Sequence, residues 1–148
     1  MYQKILVPME RAGSRENLDH ACRLAERLGS ELVLLRVVQV MASDDQFFKQ
    51  IQVEVGSAGA RAKAAAETQL ATIEDELRAR GLNAYGTVVV GDKSEADAIV
   101  AYAEDEDCDL IVITTYRQSA LSRWFLGSLA DKVRQRSSVP VLFVAANG

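Results

Sequence analysis

Apolar residues along this chain fall into two alternating patterns. Short unbroken runs rich in β-branched residues recur at "KILV" (4–7), "ELVLLRVV" (31–38), "AYGTVVVG" (84–91), "LIVIT" (110–114) and "VPVLFV" (139–144). Between them the apolar positions return every three or four residues. The first pattern predicts strands covered on both faces, and the second predicts amphipathic helices. "RENLDHACRLAERLG" sets Leu18, Ala21, Cys22, Ala25 and Leu28 on one face and stops at Gly29. "AGARAKAAAETQLATIEDELRARG" is rich in strong helix formers, keeps Ala66, Leu70, Ile73 and Leu77 in register and stops at Gly81. Two further helices open with Ser-x-x-Asp capping boxes, Ser94 with Asp97 and Ser128 with Asp131. The stretch 39–57 has no clear period; Phe47, Phe48, Ile51 and Val55 predict a short helix or a mobile lid there. Its two phenylalanines are expected against the sheet rim or a second subunit.

Strands that alternate with helices predict a single α/β domain over residues 1–148, a five-stranded parallel sheet, doubly wound and Rossmann-like. In such a sheet, ligands bind beyond the C-terminal ends of the strands, where the strand order reverses. Those ends are "PME", "VVQV", "VGDKS" and "TTYRQ". The loop that follows the fourth strand, Thr114 to Ser128, is the candidate binding loop.

Composition narrows the function. A chain of 148 residues can bury one substantial core without disulfides or metals. A net charge of −4 argues against nucleic acid or an anionic membrane as the main partner. Cys22 and Cys108 stand far apart with no Cys/His spacing, so no metal site is expected. No signal peptide and no apolar run of about 20 residues is present, which predicts a cytoplasmic protein.

Most nucleotide and catalytic motifs fail. "PMERAGSR" after the first strand lacks the dinucleotide fingerprint, and no Gly-Lys-Ser/Thr occurs. A phosphoryl-accepting receiver would need clustered acidic residues, where only Glu10 stands. His20, the one histidine, sits in mid-helix beside polar residues, and no G-x-S-x-G elbow exists. The acidic run 104–109 reads as a solvated connection. No catalytic residue is assigned. What remains is Gly127-Ser128, where free N–H groups and the helix dipole make an anion site. Ser128 serves there either as a plain cap or as a phosphate ligand.

At this point the residues resemble the universal stress protein family over essentially the whole chain. The match is carried by "KILVPME", "LLRVV", "VVVGD" and above all "DLIVITTYRQSALSRWFLGSLADKVRQRSSVPVLFV". The family has ATP-binding and non-binding members. The resemblance implies that binders carry Gly-x-x-Gly, nine residues, then Gly-Ser or Gly-Thr. Here Gly127 and Ser128 keep the last pair, while Arg117 and Thr114 stand at the second and first glycine positions. Glu10 replaces the Asp expected near the ribose, and Val37 matches the apolar position against adenine. The candidate cofactor-binding set is therefore Pro8, Glu10, Val37, Thr114, Arg117, Gly127, Ser128 and Leu129.

Glycine lets backbone approach a phosphate and tolerates positive φ. Thr114 is stiff, and Arg117 in a left-handed conformation would be strained by about 1 to 2 kcal/mol. Arg117 either obstructs the phosphate path, clamps a phosphate through its guanidinium, or leans on Glu10 and fills the site. The expectation is a non-enzymatic stress-response protein with weak or absent ATP binding. The alternative is a genuine ATP-binding member with a modified loop; an ATP-hydrolysing enzyme stands third. The apolar last strand, left unpaired, would template aggregation, so a homodimer through it is expected, as the resemblance also implies. A client protein is implied without being identified.

Overall fold

The computed structural model describes the backbone of residues 2–9, 15–39, 46–118, 123–125 and 127–146. Side chains are described for all of these except 46–58, 116–118, 123–125, 127–128 and 146. The chain runs β1 (Lys4–Pro8), α1 (Glu16–Leu28), β2 (Glu31–Gln39), α2 (Gln46–Ala79), β3 (Asn83–Gly91), α3 (Glu95–Asp105), β4 (Leu110–Gln118), β5 (Arg123–Phe125), α4 (Gly127–Arg136) and β6 (Val141–Ala146). Five strands pair in parallel in the order β3-β2-β1-β4-β6, as the alternating apolar runs predict. The sixth, β5, is a short antiparallel addition to β4.

Alternation along each strand divides the core in two. Ile5, Val7, Leu32, Leu34 and Val112 pack with Leu18, Cys22, Leu70 and Leu77 on the side of α1 and α2. Leu6, Val33, Leu35, Ile111 and Ile113 pack with Ile99, Ala103, Ala130 and Val133 on the side of α3 and α4. Helix ends follow local chemistry. Gly29 ends α1 at φ 70°, a left-handed conformation that only glycine adopts without strain. Ser94 Oγ accepts from the Asp97 N–H at 3.2 Å and opens α3. α4 starts at Gly127, and the Asp131 carboxylate takes Arg134 at 2.8 Å and Gln135 at 2.9 Å; the cap expected from the Ser128 side chain lies outside what is described.

Two segments differ from expectation. Residues 46–57 join the Ala-rich stretch in one helix of 34 residues, where a separate short helix or lid was expected. Helix propagation adds one hydrogen bond per residue fixed, so a strong downstream helix recruits an ambiguous upstream stretch. The expected packing of Phe47 and Phe48, and residues 40–45, lie outside what is described. The second difference is β4, which continues four residues past the expected Thr114 and turns back through β5.

Both ends of β1 are held by side chains. At its start, Asp109 accepts from the Gln3 N–H at 2.8 Å and the Lys4 N–H at 3.0 Å. At its end, β1 and β4 pair only at Ile5–Leu110 and Leu6–Ile111 before they part. Asn17, 3% exposed, fills the opening: its amide donates to Pro8 O at 2.9 Å and to Val112 O at 3.2 Å. At the outer strand, Gly86 permits close approach, since a Cβ there would lie 2.8 Å from Leu70 Cβ.

Two substitutions test these contacts by urea unfolding. Asn17→Ala leaves two buried carbonyls unsatisfied and is expected to lower stability by about 1 to 3 kcal/mol. Gly86→Ala forces α2 off β3, at a cost of roughly 1 to 3 kcal/mol. Wild-type stability in either variant would refute the corresponding contact.

Candidate functional site

After β1 the chain builds β2 and β3 outward on one side, then crosses to build β4 and β6 on the other. The order therefore reverses between β1 and β4, and the crevice for a ligand lies beyond their C-terminal ends. Asn17 holds the floor of that crevice. Sequence reasoning missed this residue. Its signal was a polar side chain four residues before Ala21, on the buried stripe of α1.

The expected site residues distribute as follows. Pro8 ends β1 and is buried, with its carbonyl on Asn17. Val37 is half-buried near the end of β2 and packs with Val89 on the α3 side. It lines a cavity of about 320 Å³ whose walls include Val89, Gly91 and Tyr102. Gly127 and Ser128 open α4, and Leu129 packs into the same α3–α4 core. Val37, Gly127, Ser128 and Leu129 thus belong to one layer of the molecule. Glu10 lies outside the described residues.

Thr114 falls differently. It is 4% exposed and, by strand alternation, shares the face of Leu110 and Val112, the α1 side. Thr115, which sequence reasoning passed over, faces the α4 side instead and donates to Val144 O at 3.5 Å. Arg117 is an extended residue of β4, paired with Trp124. It is not among the positive-φ residues, so the left-handed strain considered for it does not arise.

The hairpin has a definite place. Tyr116 pairs with both Phe125 of β5 and Ala146 of β6. One residue meets two partners only across its two edges, so β5 and β6 flank β4 on opposite sides. β5 therefore lies on the β1 side. Extending the β1–β4 register sets Pro8 opposite Ile113, three residues short of Tyr116. The backbone of β5 continues the β1 column above Pro8, at the mouth of the crevice.

Several described polar and titratable groups bear on the crevice and the core around it. Arg36 reaches from β2 to donate to Met9 O at 3.3 Å. Burial pushes the Tyr102 phenol far up, with Tyr85 as hydrogen-bond partner, so the hydroxyl on the cavity wall stays protonated. Burial likewise lifts Cys108 to about 11 and raises Cys22, which leaves both thiols protonated and poor nucleophiles near neutral pH. Among the described residues, no three His, Cys, Asp or Glu side chains converge as a metal site would require. Among them too, no helix is long and apolar enough to cross a membrane.

With this geometry established, comparison with known proteins is specific. The chain is 28% identical over 161 residues to universal stress protein MJ0577 of Methanocaldococcus jannaschii, covering 97% of this chain and 95% of that one. The solved structure of MJ0577 superimposes with a TM-score of 0.77 at 26% identity, over 100% of this chain and 99% of that one. A universal stress protein of Archaeoglobus fulgidus, solved with dAMP, shares the fold at a TM-score of 0.64 and 19% identity, covering 97% and 98% of the two chains. A further universal stress protein, solved in complex with cAMP, shares it at a TM-score of 0.63 and 23% identity, covering 97% of each chain. The sequence profile of the universal stress protein family matches residues 1–145, and the chain belongs to that family.

Proposed function

We propose that the protein is a non-enzymatic, cytoplasmic stress-response member of its family, whose nucleotide cradle has lost the phosphate half and binds ATP weakly or not at all. The observation that carries this is the course of β4. Where binders are expected to loop through two glycines, Thr114 and Arg117 continue a paired strand to Gln118. A strand engages its backbone N–H groups in a ladder and does not offer them to an anion. The backbone of β5 at the crevice mouth adds to the same effect. The adenine half is retained in Val37 and its cavity, and the helix opening in Gly127, Ser128 and Leu129.

A second reading has its own support. Two relatives were solved with dAMP and cAMP, each of which carries one phosphate. The start of α4 keeps its dipole and first-turn N–H groups for one such group. In that reading Arg117 supplies from its side chain what the glycines would have supplied from backbone.

We also propose a homodimer through β6. It forms one edge of the sheet, and Val141, Leu142, Phe143 and Val144 are half-buried in the single chain. A paired edge covers both the backbone row and these side chains. A client protein acts beyond the dimer.

Calorimetric titration with Mg-ATP tests the cradle. Wild type is expected to bind poorly, and Thr114→Gly with Arg117→Gly to bind better, with Arg117→Gly alone already helping. Tight binding by wild type that Arg117→Gly weakens by roughly 1.5 to 3 kcal/mol would overturn the proposal and make Arg117 a phosphate ligand. For the dimer, light scattering is expected to give twice the chain mass for wild type and a shift toward monomer for Leu142→Lys; a wild-type monomer at micromolar concentration refutes it.

A further inference from the structure

Among the described residues β3 pairs with β2 alone and forms the other edge of the sheet. Half of its outward backbone row is closed. The Gly86 N–H donates to Glu74 Oε2 at 2.9 Å, and Arg78 Nε donates to Ala84 O at 3.0 Å. Glu74 and Arg78 also pair with each other at 2.6 Å. These bonds identify the even-numbered residues of β3 as the outward ones. Alternation along a parallel ladder puts Val88 and Val90 in the same row. Among the described residues no side chain closes the edge at either, and Val90 is 41% exposed.

The open stretch is flanked by a cavity on each face. On the α2 side, about 360 Å³ is bounded by Lys63, Glu67, Glu74, Thr87 and Val88. On the α3 side, the cavity of about 320 Å³ runs beyond Val37 along Val89, Ala98, Ala101 and Tyr102, with Asp92, Lys93 and Asp105 also lining it. A strand added to a sheet edge sends alternate side chains to opposite faces. Here one face offers it an apolar trough and the other a charged one. Glu67, Glu74, Asp92 and Asp105 stand against Lys63 and Lys93 in the two linings.

We propose that the Val88–Val90 edge of β3 binds an extended peptide segment of a partner protein, with alternating apolar and basic side chains. Main-chain bonds to Val88 and Val90 give the pairing. The apolar side chains enter between Val89 and Tyr102, and the basic ones meet Glu67, whose present partner Lys63 stands 3.7 Å away. The apolar trough is the Val37 cavity assigned above to adenine, so nucleotide and peptide compete for it.

Fluorescence anisotropy with a fluorescein-labelled (Lys-Val)₄ peptide tests it, without nucleotide. This probe is expected to bind at least tenfold more tightly than (Glu-Val)₄, and N-methylation of its valines to weaken it at least tenfold. Val88→Pro removes the outward N–H without touching the ladder to β2 and is expected to weaken binding about tenfold. Ala101→Arg, on a half-exposed position of α3, is expected to do the same by filling the trough with a cation, which keeps the test valid if the proline variant misfolds. No binding by wild type at millimolar peptide, or equal binding of the two sequences, overturns the proposal. So does a wild-type dimer that sedimentation shows to be lost in Val88→Pro while the peptide fails to bind.

Discussion

The amide of Asn17 satisfies two carbonyls that the sheet itself leaves behind. A parallel sheet whose order reverses must open between the two strands at the reversal, and the opening exposes main-chain groups in the dry centre of the molecule. Pro8 O and Val112 O are those groups here. An unpaired buried carbonyl costs about 1 to 3 kcal/mol, so the opening persists because one planar NH₂ donates both its hydrogens across it. Everything placed around the crevice follows from that bridge: the end of β1, the rim of β4 and the N-terminal turn of α1.

The parallel sheet was legible because buried parallel strands are written as continuous apolar runs, and because Gly29 and Gly81 punctuate the helices at positive φ. The site assignments of Val37 and Gly127 come from register with a family pattern; Val37 lies at a cavity and Gly127 at the start of α4. What stayed hidden has physical causes. Residues 46–57 have no period of their own and take their helix from the Ala-rich stretch that follows. Thr115 acts through one hydrogen bond and Asn17 through two, to strands brought near only by the fold, which no local pattern records. Thr114 entered the candidate set through register with the family pattern, and its face is set by strand alternation, which such register does not record. The β4–β5 hairpin depends on pairing that "TTYRQ" does not announce.

The two sheet edges are managed by opposite chemistry. At β3 a Glu–Arg pair from α2 reaches over and closes the lower backbone row, at the same level where Gly86 lets the helix approach. At β6 the row is bordered by half-buried apolar side chains. Charged guards deter pairing and apolar borders invite it, so the molecule has a guarded edge with one gap and an inviting edge. This asymmetry makes association directional.

The bonds from Asp109 to Gln3 and Lys4 span 106 and 105 residues. The strand they fasten sits in the middle of the sheet. On a ribosome adding about 5 to 20 residues per second, β1 waits roughly 5 to 20 s before its second neighbour exists. During that interval Ile5, Leu6 and Val7, none of them exposed in the finished protein, have one strand beside them at most. The nascent chain thus carries an apolar segment with half its cover missing until β4 follows, about a hundred residues later.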